Sequence, residues 1–164
     1  PYAWSKYAGE QLCELYNKVY DLPTAICRFY NVYGEHQLED GAYATVLGIF
    51  ERQYREGKLL TVTSNGEQRR DFTHIDDIVD GLVRCGLSLL TDSKVANGQA
   101  YELGRGKNYS INEITKMFDQ TEVEYIPARK GEYPFTLADY TKANEELGWT
   151  PTLDIKNYIS KIIS

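Results

Sequence analysis

Thr24-Ala25-Ile26-Cys27-Arg28-Phe29-Tyr30-Asn31-Val32-Tyr33-Gly34 is the stretch whose reading decides the fold class. The apolar run Ala25-Ile26-Cys27, continued by Arg28-Phe29-Tyr30, predicts a short strand buried on both faces, the pattern of a parallel sheet. Residues 2–20 before it predict a helix. Trp4, Ala8, Leu12, Leu15 and Val19 recur at spacings of four and three and mark a core-facing stripe. Pro1 suits a helix start, and Leu22-Pro23 ends the element because a residue before proline avoids helical angles. A helix feeding such a strand is half of a βαβ unit. In open α/β sheets the crevice beyond the carboxyl ends of the strands holds the ligand. Asn31, at that end, is placed to hydrogen-bond a substrate; taken alone it is equally a loop-capping asparagine.

Tyr2-Ala3-Trp4-Ser5-Lys6 opens the predicted helix. A tyrosine and a lysine four residues apart share one helix face. A free tyrosine titrates at about 10 and is a poor base at neutral pH, but a neighbouring ammonium favours the phenolate. Tyr2 and Lys6 therefore have the chemistry to pass a proton to and from a substrate hydroxyl, and the lysine has donors for further hydroxyls. From these residues alone the pair is equally a surface feature of an amphipathic helix. Gly9 and Cys13 extend the same stripe, and Gly9 leaves room for another backbone or a ligand.

Downstream, a helix is expected over 42–56 with Val46, Ile49, Phe50 and Tyr54 inward. Strands are expected at 59–63 and 70–75 around the turn signal Asn65-Gly66. Asp76-Asp77 supply carboxylates to the first turn of a helix reaching Leu90, with Ile78, Leu82, Val83 and Leu87 on its buried side. A strand over 99–103 ends in Gly104-Arg105-Gly106. Ser110-Ile111-Asn112-Glu113 is a capping box that opens a short helix. Val123–Pro127 predicts a further strand, Asp139 caps a helix stopped by Gly148, and Ile155, Tyr158, Ile159, Ile162 and Ile163 predict a last amphipathic helix.

With 164 residues the chain suits one domain, and its 42% hydrophobic and 26% charged content is that of a globular protein. A net charge of −6 argues against a nucleic-acid surface, and no apolar run approaches membrane-spanning length. Only two histidines are present, so no metal site is expected. The three cysteines, Cys13, Cys27 and Cys85, contain no C-x-x-C and lie in apolar segments; they read as reduced core thiols of a cytoplasmic protein. Some of the 14 tyrosines are expected to line a polar pocket.

Four motifs, in order, resemble the NAD-dependent epimerase/dehydratase family, the extended short-chain dehydrogenases that act on nucleotide sugars. Pro1-Tyr2-x-x-Ser5-Lys6 with Ala8-Gly9-Glu10 resembles its active-site helix. Arg28-Phe29-Tyr30-Asn31-Val32-Tyr33-Gly34 resembles its R-x-x-N-x-Y-G strand end. Gly66-Glu67-Gln68-Arg69-Arg70-Asp71-Phe72, with His74-Ile75-Asp76-Asp77, resembles G-x-Q-x-R-D-F-x-H-V-x-D. Arg129-x-Gly131-Glu132, Ala138-Asp139, Lys142-Ala143 and Leu147-Gly148-Trp149-x-Pro151 resemble the family's C-terminal run. Glu35 departs from the usual proline, and Glu132 from the commoner aspartate. No G-x-x-G-x-x-G phosphate loop precedes Tyr2.

The resemblance implies an α/β fold: the C-terminal part of a Rossmann-like extended short-chain dehydrogenase with its small α/β substrate-binding domain. Residues 1–34 are then the last helix and strand of the Rossmann-like core, and 35–164 mostly the nucleotide-sugar region, with 70–104 returning partly to the core sheet. It also implies Tyr2 and Lys6 as catalytic residues that hold NAD together with Phe29 and Tyr30, and Asn31, Arg70 and Arg129 as substrate residues. The two arginines would clamp a diphosphate bidentately; by themselves they are equally surface ion pairs. The expected function is the substrate-binding half of a nucleotide-sugar epimerase that works through a keto intermediate. The alternatives are a nucleotide-sugar 4,6-dehydratase, or a non-catalytic binding or oligomerisation module. The expected partners are a UDP-sugar, a second copy of the chain and a separate N-terminal Rossmann chain, with no nucleic acid or membrane. The chain alone is expected to be inactive and to bind NAD weakly.

Overall fold

The computed structural model describes residues 1–120, 122–128 and 131–164. The chain folds as α/β. Helix α1 (Tyr2–Tyr20) leads into strand β1 (Ala25–Phe29) and, after a break at Tyr30, β2 (Asn31–Tyr33). Helix α2 (Val46–Arg55), strands β3 (Leu60–Thr63) and β4 (Arg69–His74), and helix α3 (Ile75–Leu90) follow. The chain ends with β5 (Gln99–Leu103), β6 (Asn108–Ser110), α4 (Ile111–Met117), β7 (Val123–Ile126), α5 (Thr141–Leu147) and α6 (Ile155–Ile163).

The strands pair mostly in parallel. β1 lies beside β5, with Ala25 opposite Gln99 and Phe29 opposite Leu103. β2 lies beside β4, with Asn31 opposite Phe72, and β3 beside β7. β6 adds antiparallel to β4, Arg70 facing Tyr109. Two cores fill the space between these sheets and the helices. One packs Tyr33, Phe50, Val62, Phe72, Ile114 and Phe118 under α2, α4 and α6. The other gathers Ile78, Cys85, Tyr101, Leu103 and Trp149 between β1, β5, α3 and α5.

Local chemistry sets the element ends. Thr45 caps α2 by accepting from the Gly48 N–H, so that helix starts at Val46 rather than Ala42. The Ser110–Glu113 capping box forms as its sequence predicts, and Gly148 closes α5 in the left-handed region. Gly34 (φ 146°) turns the chain out of β2, where a Cβ would lie 2.5 Å from Ile75 Cγ2.

Several expectations need correction. The apolar stripe of α1 covers no core: Trp4 is 70% exposed, and Leu12, Leu15 and Val19 are exposed with it. A helix of 19 residues is about 28 Å long, and the two-stranded β1–β5 sheet beside it is too narrow to cover it. For the same reason β1 is not buried on both faces; of its residues Ile26 alone is buried. On α3 the buried side runs through Ile78, Gly81 and Cys85, while Leu82, Val83 and Leu87 face out. The cap of that helix is the His74 imidazole, which accepts from the Asp76 N–H. Asp76 and Asp77 do stand in the first turn, and the buried Asp77 carboxylate also holds Thr152 and Leu153.

Candidate functional site

A cleft of about 550 Å³ opens where β1 passes into β2, against the first half of β4 and beside the loop that enters α2. Five of the residues selected from sequence line it: Tyr2, Phe29, Tyr30, Asn31 and Arg70. Asn31 is half-buried on β2, in register with Phe72 of β4. Arg70 stands two residues before Phe72, so strand alternation puts both on one face. The Arg70 side chain is only 12% exposed; its Nη2 lies 3.1 Å from Glu132 Oε1, and its Nη1 donates to the Arg69 carbonyl. The neighbouring Arg69 turns to the other side, where it donates to Asn108 and pairs with Glu113 at 2.8 Å. Arg129 lies outside the described residues, so the second half of the expected clamp has no geometry here.

Tyr2 sits at the rim, 72% exposed, with the Lys6 ammonium 5.3 Å from its ring centroid. Lys6 is brought beside Tyr2, as helix periodicity requires, rather than into the cleft wall. Tyr30 is a different kind of phenol. Its hydroxyl donates to Glu102 Oε2 at 2.7 Å, and burial, reinforced by that carboxylate, pushes its titration well above the usual tyrosine range. Tyr30 is therefore a hydrogen-bond donor at neutral pH and not a base. Glu102 also accepts the Asp139 N–H, which fixes the carboxylate in place.

The helix that carries Tyr2 is joined to the sheet by an ion pair. Arg28 of β1 grips Glu10 of α1 through Nε at 2.9 Å and Nη2 at 2.6 Å. This hydrogen-bonded guanidinium holds the Glu10 carboxyl below its usual range. Both residues stand in quoted motifs, so the link was readable in kind though not in geometry.

Sequence reading missed part of the wall. Thr61 and Thr63 line the cleft, and their period-two spacing on β3 was the available signal. The Gln53 amide fixes β3 from α2, donating to Thr61 Oγ1 and accepting the Thr61 N–H. Tyr43, Ala44 and Thr45 close one side; they lie in a segment assigned to helix. Glu132 also lines the cleft, opposite in charge to Arg70. Among the described residues the arrangement offers one cation, one carboxylate, amide and hydroxyl donors, and several aromatic faces, a set suited to a polar ligand with both anionic and ring-shaped parts.

Comparison with known proteins bears on this set. The sequence pattern of the family described as GDP-mannose 4,6 dehydratase matches residues 1–162. Among curated relatives, the UDP-glucose 4-epimerase of Mycolicibacterium smegmatis is 32% identical over 168 residues, covering 99% of this chain and 51% of the relative. Among solved structures, the UDP-glucose 4-epimerase of Thermotoga maritima with UDP-glucose superposes with a TM-score of 0.87 at 29% identity, covering 99% of this chain and 52% of that one. The UDP-glucuronic acid 4-epimerase of Bacillus cereus, in complex with UDP-glucuronic acid and NAD, gives 0.82 at 32% identity, covering 98% and 50%. The chain spans about half the length of the curated relatives it matches.

Proposed function

The chain belongs to the GDP-mannose 4,6-dehydratase family of NAD-dependent epimerases and dehydratases, and from that premise we propose that it is the substrate-binding half of a nucleotide-sugar epimerase. The observation that carries the reading is the meeting of Tyr2, Phe29, Tyr30, Asn31 and Arg70 in one cleft. Phe29, Tyr30 and Asn31 are neighbours in the chain, but Tyr2 of α1 and Arg70 of β4 reach them from distant segments, and no local structure demands that meeting.

In this reading the substrate is a UDP-sugar. Asn31 orients the sugar end, and Arg70, with Arg129, holds the diphosphate through charge-assisted bonds. Glu132 is the counter-ion that Arg70 exchanges for phosphate oxygens. Tyr2 moves the proton of the sugar hydroxyl, and Lys6 keeps the phenol primed for that transfer. The phenol of Tyr2 and the ammonium of Lys6 as donors, the Tyr30 oxygen as an acceptor beside Glu102, and the exposed ring of Phe29 fit the ribose–nicotinamide end of NAD. NAD held there would supply the hydride acceptance and return that an epimerisation needs. A cytoplasmic location, pairing of two copies, and completion by an N-terminal Rossmann segment or chain belong to the same proposal.

Calorimetric titration of the purified protein with UDP-glucose tests the binding role. Each charge-assisted bond contributes about 1.5–3 kcal/mol, so Arg70→Ala weakens binding about tenfold or more, at about 1.4 kcal/mol per decade. Arg69→Ala, whose side chain is spent on Asn108 and Glu113, costs much less affinity. Equal losses in the two variants, with unchanged circular dichroism, overturn the assignment. The description of the matching family favours a second reading, a 4,6-dehydratase. Mass spectrometry of the product formed by the intact enzyme separates the two: an epimer keeps the substrate mass, and a dehydratase product is lighter by one water.

A further inference from the structure

Cys27 of β1 and Cys85 of α3 are 58 residues apart in sequence, and their sulfurs lie 3.4 Å apart. Both are free thiols. Cys85 is 3% exposed inside the core between β1, β5, α3 and α5, and Cys27 is half-buried against that core. The Cys27 S–H donates to the Cys85 sulfur. That bond favours a thiolate on Cys85, while the same contact and burial push the Cys27 thiol up. The two sulfurs therefore differ in role: one is disposed to act as nucleophile, and the other keeps its proton beside it.

We propose that Cys27 and Cys85 form a reversible intrachain disulfide, a redox modification site that staples β1 to α3. The oxidant is a hydroperoxide. The Cys85 thiolate attacks a peroxide oxygen; the O–O bond breaks, hydroxide leaves, and Cys85 becomes a sulfenic acid. The Cys27 sulfur then attacks the Cys85 sulfur. The S–S bond forms, the S–O bond breaks, and the departing hydroxide takes the Cys27 proton as water. The sulfur pair loses two electrons, and hydrogen peroxide is reduced to two waters, with the proton first released from Cys85 neutralising the first hydroxide. A thiol reductant reverses the bond by exchange. The staple has a clear lever on the cleft, because β1 runs directly into Phe29, Tyr30 and Asn31. α3 in turn follows without a break from the strand that carries Arg70. The inference rests on the thiol geometry and is independent of the ligand the cleft takes.

The test is a peptide map of the purified, folded protein after reduction, brief hydrogen peroxide treatment and alkylation with iodoacetamide. The expected result is one cross-linked peptide joining Cys27 to Cys85, lost on adding dithiothreitol, with Cys13 alkylated. Recovery of Cys27 and Cys85 both alkylated, or separately over-oxidised, overturns the proposal, as does a cross-link through Cys13. In Cys27→Ser the resolving thiol is gone, so labelling of Cys85 by dimedone, a sulfenic-acid reagent, should rise at least tenfold over the wild type. Equal labelling removes Cys27 from the role assigned to it. Because the wild-type map stands alone, a variant that fails to fold leaves the proposal still decided.

Discussion

At Asp71 a carboxylate with 0% exposure accepts N–H bonds from Arg105, Gly106 and Ala138 at 2.8–3.0 Å. It gathers the β5–β6 turn and the approach to α5 around the strand that bears Arg70. Burial pushes this carboxyl above the usual aspartate range, and the N–H groups oppose the shift. Each buried donor left without a partner costs about 1–3 kcal/mol. Asp71→Ala is therefore expected to remove at least about 3 kcal/mol. For a chain of this size that lowers Tm by roughly 6–12 °C, readable by calorimetry. Tyr2 stands at the opposite extreme, exposed and structurally dispensable. Under the proposed chemistry, Tyr2→Phe in the intact enzyme lowers kcat by about 10²–10⁴ and leaves Tm within about 1 °C, since exposed positions contribute little. A large fall in Tm with unchanged turnover would make Tyr2 a structural residue.

Among the described helices, α1 alone has no buried residue. Its link through Glu10 and Arg28 carries a pH dependence whose sign follows from the depressed Glu10 carboxyl. A carboxyl that titrates lower when folded contributes stability above its unfolded value of 4.5, and that contribution is lost as pH falls through the lower folded value. The pair is partly exposed, so the effect stays under about 1 kcal/mol. The Tm difference between the wild type and Arg28→Ala should therefore be present at pH 7 and vanish towards about pH 3; a constant difference would assign it to packing. This same helix marks the limit of what its sequence conveys. Periodicity named its length, but the stripe it marked as core-facing is exposed, because a stripe specifies a buried face only where a surface exists to meet it. Elements whose ends are written in side chains, such as α4 behind Ser110 and α5 before Gly148, were legible. The three-residue strands β2 and β6 were not, because such short runs have no period to read. At the site, motif order brought Asn31 and Arg70 to notice, whereas the Arg70–Glu132 pair and the Cys27–Cys85 contact are products of long-range packing that no local pattern encodes.

The molecule as a whole displays an uneven surface. The apolar face of α2 is core, with Leu47 and Phe50 buried. Exposed apolar side chains gather on α1 and along the outer side of α3, at Val79, Leu82, Val83 and Leu87. Contiguous patches of this kind favour association. On the proposal that two copies pair, sedimentation of Leu12→Lys and Leu15→Lys should shift the protein towards monomer, and an unchanged distribution would exclude α1 from the interface. Among the described residues, no helix is long and apolar enough to cross a membrane. The two tryptophans divide between these regimes. Trp149 is 0% exposed, its indole N–H donating to the Asp77 carbonyl at 2.8 Å, while Trp4 stands in solvent on α1. The protein thus carries two fluorophores with separate assignments. An exposed indole emits further to the red than a buried one and is open to iodide, so iodide should quench Trp4 and spare Trp149. The quenchable fraction of the emission reports what covers the first helix, and the unquenchable fraction reports whether the core between α3 and α5 is intact, so assembly and unfolding can be followed in one cuvette without a label.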